Sequence, residues 1–234
     1  MVLRWETDGA GKVTGVRFAD SSGAEHAVHG KAVVLAGGAI ETARLLLNSP
    51  SAREPNGLGN GHDLVGRNLQ GHVYATAYGQ FDEAVHASRG PGVSIATTAY
   101  NHGNPGFVGG GMLADDFVQP PIIFWKNVLP PGQRRRQRAA PPTNGAGPVH
   151  EIPNAEARVQ IAPAVRDKWD CRLLASGRVH AETVRTAHYM HGKALDWLRA
   201  SGALATWGLA PDPVLSGGST RPAPAAWAPI PPTR

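Results

Sequence analysis

The sequence has a single cysteine, Cys171, which excludes a disulfide framework and a metal site built from several cysteines. It also has no apolar run that approaches the ~20 residues needed by a transmembrane helix. Residues Met1–Glu6 lack the basic start and the apolar core of a signal peptide. We therefore expect no transmembrane segment and, by default, a cytoplasmic protein.

Aromatic residues are also few, at 6% of the 234 residues. This matters for the net charge of +5, because a basic protein that binds nucleic acid often uses aromatic side chains to stack on bases. Much of the positive charge lies in Arg134–Arg138, where no aromatic side chain is interleaved to stack on nucleobases. A nucleic-acid partner is therefore not expected, despite the basic composition. With 41% hydrophobic and 18% charged residues, the chain has the composition of a globular protein.

Several motifs of nucleotide-binding and catalytic sites are missing. No Gly-x-Gly-x-x-Gly follows a strand near the start, and the sequence has neither a P-loop nor a Gly-x-Ser-x-Gly elbow. The carboxylate pairs Asp82–Glu83 and Asp115–Asp116 fall in predicted loops, so we interpret them as solvated charges. His188 and His191 are three residues apart on a predicted helix, but no third ligand stands at motif spacing, so no metal site is predicted.

What the chain does have is a distinctive segment, Lys31–Ser49. Its apolar run Ala32–Ala36 is typical of a strand covered on both faces. Gly37-Gly38 then allows a tight turn, and Ile40 with the leucines at positions 45–47 predicts an amphipathic helix. A strand that leads through glycines into a helix favours phosphate binding, because free amides point outward there. Ordinary packing of a strand, a turn and a helix is the alternative.

A resemblance to a known family rests on three consecutive stretches. They are Gly38-Ala-Ile-Glu-Thr-Ala-Arg-Leu-Leu-Leu-Asn-Ser49, Pro55-Asn-Gly-Leu-Gly-Asn60 and Asp63-Leu-Val-Gly-Arg-Asn-Leu-Gln-Gly-His72. Together they resemble the second signature region of the glucose–methanol–choline (GMC) flavin oxidoreductases, in the branch of gluconate and sugar dehydrogenases. Thr42 fits the usual helix pattern, whereas Ala43 and Pro50 depart from it.

The resemblance implies an FAD site formed by the glycine turn and by the segment that follows the helix. The residues expected at the cofactor are Ala36, Gly37, Gly38, Ala39, Gly66, Asn68 and His72. Taken without the resemblance, Gly66 and Asn68 could equally belong to a turn held by an Asx-type hydrogen bond. His72 could equally be a strand histidine with its hydrogen bonds satisfied.

The implied fold class is α+β. Residues 1–72 are expected to be the C-terminal part of a Rossmann-like FAD-binding domain that includes a β-meander. Residues 73–209 are expected to be a substrate-binding domain, an antiparallel sheet with flanking helices that is irregular over 131–147. Residues 210–234 are expected to be a disordered tail, since they are rich in proline and alanine.

The residue patterns predict the elements within this scheme. Strands are predicted at Val2–Trp5, Lys12–Ala19 and Glu25–His29, separated by the hairpin turn signals of residues 8–11 and 20–23. Shorter strands are predicted over 74–81, 93–98, 107–113 and 122–125. A helix is predicted over 181–201, with Gly202 as its natural end.

The family's FAD fingerprint and its closing motif, a His followed by Gly-Thr-Cys-Arg-Met-Gly, are both missing from the sequence. We therefore expect a fragment without a catalytic residue. Synonymous codons for Gly217–Arg234 exist that spell this closing motif in a shifted reading frame, which favours a frameshift near Ser216–Ser219. A second, local frameshift over residues 170–176 is a weaker hypothesis of the same kind.

The resemblance implies FAD-dependent oxidation of CH–OH groups in sugars, polyols or other alcohols, with hydride transfer to the flavin. The histidine that would remove the hydroxyl proton belongs to the missing closing motif. The chain as given is therefore expected to be inactive and not to retain FAD. Its electron acceptor is not indicated. The alternative is a non-catalytic binding or interaction module, a pseudoenzyme fragment.

Overall fold

The structure is a computed structural model that describes residues 1–83, 95–116, 143–162 and 174–209, with the single positions 85, 93, 129 and 211. The predicted strand 122–125 and the arginine cluster 134–138 lie outside these residues. So does the predicted tail, apart from position 211. Within the described part of the chain the protein is mixed α and β with small antiparallel sheets, so the predicted fold class is confirmed at that level.

The elements fall into two compact units. Of the described residues, those within 1–70 and 153–178 belong to the first, and those within 71–152 and 179–211 belong to the second. The elements of the first unit are β1 (Val2–Thr7), β2 (Val13–Ala19), β3 (Glu25–His29), α1 (Gly38–Leu47), β8 (Arg158–Gln160) and β9 (Leu174–Ser176). Those of the second are β4 (Ala77–Gln80), β5 (Ala96–Thr97), β6 (Leu113–Asp116), β7 (Thr143–Ala146), α2 (Ala181–Ala200) and β10 (Ala205–Gly208).

The predicted meander is confirmed as an antiparallel sheet in the order β1-β2-β3. Local hydrogen bonds close both of its turns. The Oδ1 atom of Asp8 accepts from the amides of Ala10 and Lys12, at 3.0 and 2.9 Å. Asp20 binds the amides of residues 22 and 24 in the same way. Each carboxylate binds amides only two and four residues later in the chain. Because these contacts are local, short-range sequence patterns predict the turns correctly.

The segment Ala32–Ala36 does not form the buried strand that its apolar run predicts. Val34 is 86% exposed, and no strand of the described residues pairs with the segment. A strand buried on both faces needs a partner strand to satisfy its backbone and facing layers to cover its side chains. Neither is supplied within the described residues, so the prediction is wrong for this structure.

Helix α1 is confirmed, and it packs against β1. The hydroxyl of Ser49 accepts a hydrogen bond from the amide of Trp5 at 2.8 Å and donates to the carbonyl of Leu45 at 2.6 Å. Arg44 is only 3% exposed, and it pairs with Glu41 one turn earlier on the helix. This packing fixes the direction in which α1 leaves its glycine turn.

The second unit is built on a five-stranded antiparallel sheet with the strand order β10-β4-β7-β6-β5. Helix α2 confirms the predicted long helix, and Gly202 follows it with φ of +92°. The buried core includes Leu113, Met190 and Ala194.

Strand β7 forms at the end of the stretch 131–147 that was predicted to be irregular, so the prediction is wrong for Thr143–Ala146. Pairing with β4 and β6 decides the conformation of this strand. Within the described residues, neither helix is long and apolar enough to cross a membrane.

Candidate functional site

The start of α1 presents an open glycine turn. Ala36, Gly37, Gly38 and Ala39 are all exposed, and the N-cap Gly37 has no side chain that could bind the first-turn amides. Gly38 has φ of +75°, and a Cβ added there would meet no atom within 4 Å. The first amides of a helix have no partner inside the helix. The turn is therefore accessible to an anionic or hydrogen-bond-accepting group.

The loop that follows Asp63 is fastened to β8 by two backbone hydrogen bonds. The amide of Val159 donates to the carbonyl of Gly66 at 2.8 Å, and the amide of Leu69 donates to Ala157 at 2.8 Å. Gly66 has φ of +83°, and a Cβ there would overlap the carbonyl oxygen of Val159. Asn68 also adopts a left-handed conformation, with φ of +56°, which asparagine tolerates better than most residues. The glycine is thus required both by its conformation and by this close approach.

These two parts of the first unit line an open cavity of about 390 Å³. One wall is a face of α1, the rim is the loop Val65–Gln70, and Val159 of β8 completes the lining. The lining residues of α1 are Ala39, Thr42, Ala43 and Leu46. The structure therefore brings three of the predicted cofactor residues, Ala39, Gly66 and Asn68, onto one cavity. Residues 36–38 lead into α1 immediately before the first residue of this wall.

The lining suits binding better than proton transfer. Its polar side chains are those of Thr42, Arg67, Asn68 and Gln70, which can donate hydrogen bonds to a bound group. Among the described residues that line the cavity, none is a histidine, a carboxylate or a cysteine. Such a set can orient a ligand, but it has no group that titrates near neutral pH to serve as a general base.

The remaining predicted cofactor residue, His72, belongs to the second unit. Its ring centroid lies 6.0 Å from that of Tyr74. Beside it, the amide of Gly71 donates to Glu151 at 2.8 Å. Burial raises the pKa of Glu151, and this effect outweighs the opposing influence of the Gly71 hydrogen bond and of His72. Glu151 was not singled out from the sequence, because no short-range pattern links residues 80 positions apart.

Two other groups of titratable residues are clarified by the structure. Asp115 lies in β6 and is 5% exposed, and its Oδ1 accepts from the amide of Ile95 at 2.7 Å. The interpretation of Asp115 as a solvated loop charge is therefore wrong, because sheet pairing buries it. His191 has its pKa lowered mainly by burial, whereas His188 is exposed. The described residues contain no group of three or more side chains that could hold a metal ion.

Comparison with known proteins finds a family match over the segment that carries the cavity wall and rim. Residues 2–74 match the family model described as GMC oxidoreductase. This range contains β1–β3, α1 and the loop Val65–Gln70. Of the residues lining the cavity, only Val159 lies outside it.

Three curated proteins are similar to parts of the chain. The fructose dehydrogenase large subunit of Gluconobacter japonicus is 34% identical over 104 residues, which are 44% of this chain and 19% of that protein. A 2-methyl-1,2-propanediol dehydrogenase of Mycolicibacterium austroafricanum is 42% identical over 64 residues, 27% of this chain and 12% of that protein. A 6'''-hydroxyparomomycin C oxidase of Streptomyces lividus is 44% identical over 68 residues, 29% of this chain and 12% of that protein. The chain thus aligns with less than a fifth of the length of each.

Proposed function

We propose that the chain, whose residues 2–74 match the GMC oxidoreductase family model, is part of an FAD-dependent oxidoreductase. Its substrates would be CH–OH groups of sugars, polyols or other alcohols. One observation carries the proposal: two of the three stretches that resemble the family, those of α1 and of the loop Val65–Gln70, line the same cavity. The relatives are named for fructose, for 2-methyl-1,2-propanediol and for 6'''-hydroxyparomomycin C, and these names support the substrate class.

The residues of the first unit fit part of a flavin dinucleotide. The uncapped turn at Gly37 offers backbone amides suited to a phosphate or another acceptor. Thr42, Asn68 and Gln70 offer hydrogen-bond partners inside the cavity. When bound, FAD would supply the hydride-accepting chemistry, and these residues would bind and orient it. We propose His72 as a further cofactor residue.

The chain by itself is expected to hold FAD too weakly for the cofactor to survive purification. The cavity of about 390 Å³ is at the small end of the range for ligand pockets and can enclose only part of a dinucleotide. Visible flavin absorbance should therefore be missing from the purified chain. Flavin that co-purifies stoichiometrically with it would contradict this expectation. The same preparation should show no dye reduction with sugars or polyols, because the cavity has no general base.

A chimera tests the function itself. The aligned 104 residues of the fructose dehydrogenase large subunit would be replaced by the matching residues of this chain. We expect the chimera to retain FAD and to reduce a dye with a sugar or a diol as electron donor. The same chimera carrying Gly66→Ala should lose FAD, whereas Gly61→Ala should not. A folded chimera that binds no FAD would reject the cofactor assignment.

A non-catalytic binding module is the second candidate, and the composition of the cavity favours it. The described lining residues offer hydrogen-bond donors without an acid or a base. A chimera that retains FAD but reduces no dye with any of the donors tested would support this candidate over the oxidoreductase.

We further propose that the family's closing motif is encoded in a shifted frame near Ser216–Ser219. The support is that Gly217–Arg234 can be written with codons that spell this motif one frame away. The nucleotide sequence of the gene tests the proposal directly. Codons that yield no such motif in either alternative frame would exclude it.

A further inference from the structure

An ion cluster in the first unit joins the cavity rim to β8. The Nη2 atom of Arg158 donates to Oδ1 of Asp63 at 2.9 Å, and its Nη1 atom donates to Oδ2 at 3.2 Å. The Nη2 atom of Arg67 donates to the same Oδ2. Paired hydrogen bonds of this kind between a guanidinium and a carboxylate fix orientation as well as charge. The carboxylate of Asp63 is thus shared by two arginines that lie 91 positions apart in the sequence.

The two arginines belong to different elements beside the cavity. Arg67 is itself a rim residue, and its Nη1 atom also donates to the carbonyl of Ala155 at 3.2 Å. Arg158 belongs to β8 and immediately precedes Val159, which lines the cavity. Asp63 stands at the start of the loop, so its carboxylate connects the beginning of the rim to the strand against which the rim lies.

The Arg158 side chain depends on Asp63 for its neutralisation. It is only 19% exposed, and its Nε atom is buried without a hydrogen-bond partner among the described residues. Within that part of the chain, Asp63 is the carboxylate that pairs with this guanidinium. Asp63 itself is 55% exposed, so the pair is of the solvent-accessible kind, but removing its charge leaves this guanidinium without its carboxylate.

The backbone of Asp63 also indicates that the cluster holds the loop in place. Its φ is +53°, a left-handed conformation that non-glycine residues rarely adopt. Such a conformation persists where the surrounding contacts impose it. The hydrogen bonds from Arg158 and Arg67 also hold the pKa of Asp63 at about 2, so the carboxylate is charged at neutral pH.

We propose that Asp63 is the positioning residue of the cavity: through Arg67 and Arg158, its charge holds the rim Val65–Gln70 against β8. The identity of the ligand, a flavin dinucleotide, rests on the proposed function. The positioning role rests on the contacts of Asp63 alone. Asp63 does not line the cavity, and it acts on a ligand only through the rim.

Hydrogen exchange of the full chain tests the role without any ligand. In Asp63→Asn, the amides of Leu69 and Val159, which hold the rim against β8, should exchange about three- to fivefold faster. Amides of β1 and β2 should change less than about twofold, because the cluster does not touch the meander. The matched control is Glu25→Gln, which neutralises a half-exposed carboxylate paired with Arg17 and should leave Leu69 unchanged.

The pH dependence of hydrogen exchange at Leu69 distinguishes positioning by the charge of Asp63 from a loss of side-chain packing. The pKa of Asp63 is lower in the folded protein than the value of about 3.9 for an unfolded chain. Its contribution is therefore fully present above pH ~4 and is lost as the pH falls through the folded value of about 2. We expect the protection factor of the Leu69 amide, corrected for intrinsic exchange and divided by that of the β2 amides, to fall as the pH is lowered from ~4 to about 2. In Asp63→Asn this ratio should not change with pH.

Distinct results overturn the inference or separate it from the proposed function. Unchanged Leu69 exchange in Asp63→Asn, or equal acceleration in β1 and β2, would reject the positioning role. Arg158→Lys keeps the positive charge but removes the paired hydrogen bonds to Asp63, so the Leu69 amide should exchange at a rate between those of the wild type and Asp63→Asn. If Asp63→Asn does not fold, Arg158→Lys is the variant that tests the positioning role. A chimera that binds no FAD, combined with faster Leu69 exchange, would reject the cofactor while leaving the positioning role supported.

Discussion

Replacing Gly66 with alanine is expected to destabilise the first unit by about 2–5 kcal/mol, the sum of two separate costs. The backbone of Gly66 has φ of +83°, where a residue with a Cβ loses about 1–2 kcal/mol. The new Cβ would also overlap the carbonyl oxygen of Val159. The amide of the same residue, Val159, donates to the carbonyl of Gly66, so relieving the overlap strains this hydrogen bond. The loop and β8 must therefore separate.

The measurement is the urea midpoint of the amide signals of β1 and β2, which report on the first unit. Gly61→Ala is the matched control, because it lies in the same segment and an added Cβ would meet no atom within 4 Å. It should change stability by less than about 0.5 kcal/mol. Equal midpoints for the two variants would contradict both the close approach and the requirement for a left-handed conformation at Gly66.

Replacing Leu113 with alanine is expected to destabilise the second unit by about 2–5 kcal/mol, because it leaves a cavity in a packed core. Leu113 is fully buried on β6, in the same core cluster as Met190 and Val149. The side chains packed around it lose contacts with the removed atoms that they cannot replace. The loss should appear as a lower urea midpoint for the amides of α2.

Leu204→Ala provides the comparison, since this leucine belongs to the same unit but is 67% exposed. The same chemical change there should alter the free energy of unfolding by less than about 0.5 kcal/mol. Similar losses from both variants would mean that burial does not distinguish the two positions. The amides of β1 and β2 serve as an internal reference, and we expect Leu113→Ala to leave their midpoint unchanged if the two units unfold independently.

Elements whose stabilising contacts are local were predicted correctly from the sequence. The meander follows from alternating residues and from Asp8 and Asp20, whose carboxylates bind amides two and four residues later. The helices follow from their apolar spacing, and glycines mark the beginning of α1 and the end of α2. These interactions span a few residues, so a short window of sequence contains both partners.

Predictions failed where the deciding partner is distant. The apolar run Ala32–Ala36 was predicted to be a buried strand, yet no described strand pairs with it and Val34 is exposed. Asp115 was predicted to be solvated, yet pairing of β6 with β5 and β7 buries it. In both cases the residue pattern gives a preference, and whether it is realised depends on neighbours elsewhere in the chain.

The sequence by itself carries the match of residues 2–74 to the GMC oxidoreductase family model, and it predicts the glycine turn before α1. The requirement for glycine at position 66 comes from the tertiary structure, because the carbonyl oxygen of Val159 lies where a Cβ would be. Only the tertiary structure decided that the loop after Asp63 lies against β8, and that both line a cavity with α1. Asp63 and Arg158 stand 95 positions apart, and nothing within either segment specifies the other. The backbone hydrogen bonds between the loop and the segment of β8, and the charged hydrogen bonds between Asp63 and Arg158, form only when the chain folds. Their donors and acceptors come from distant parts of the sequence.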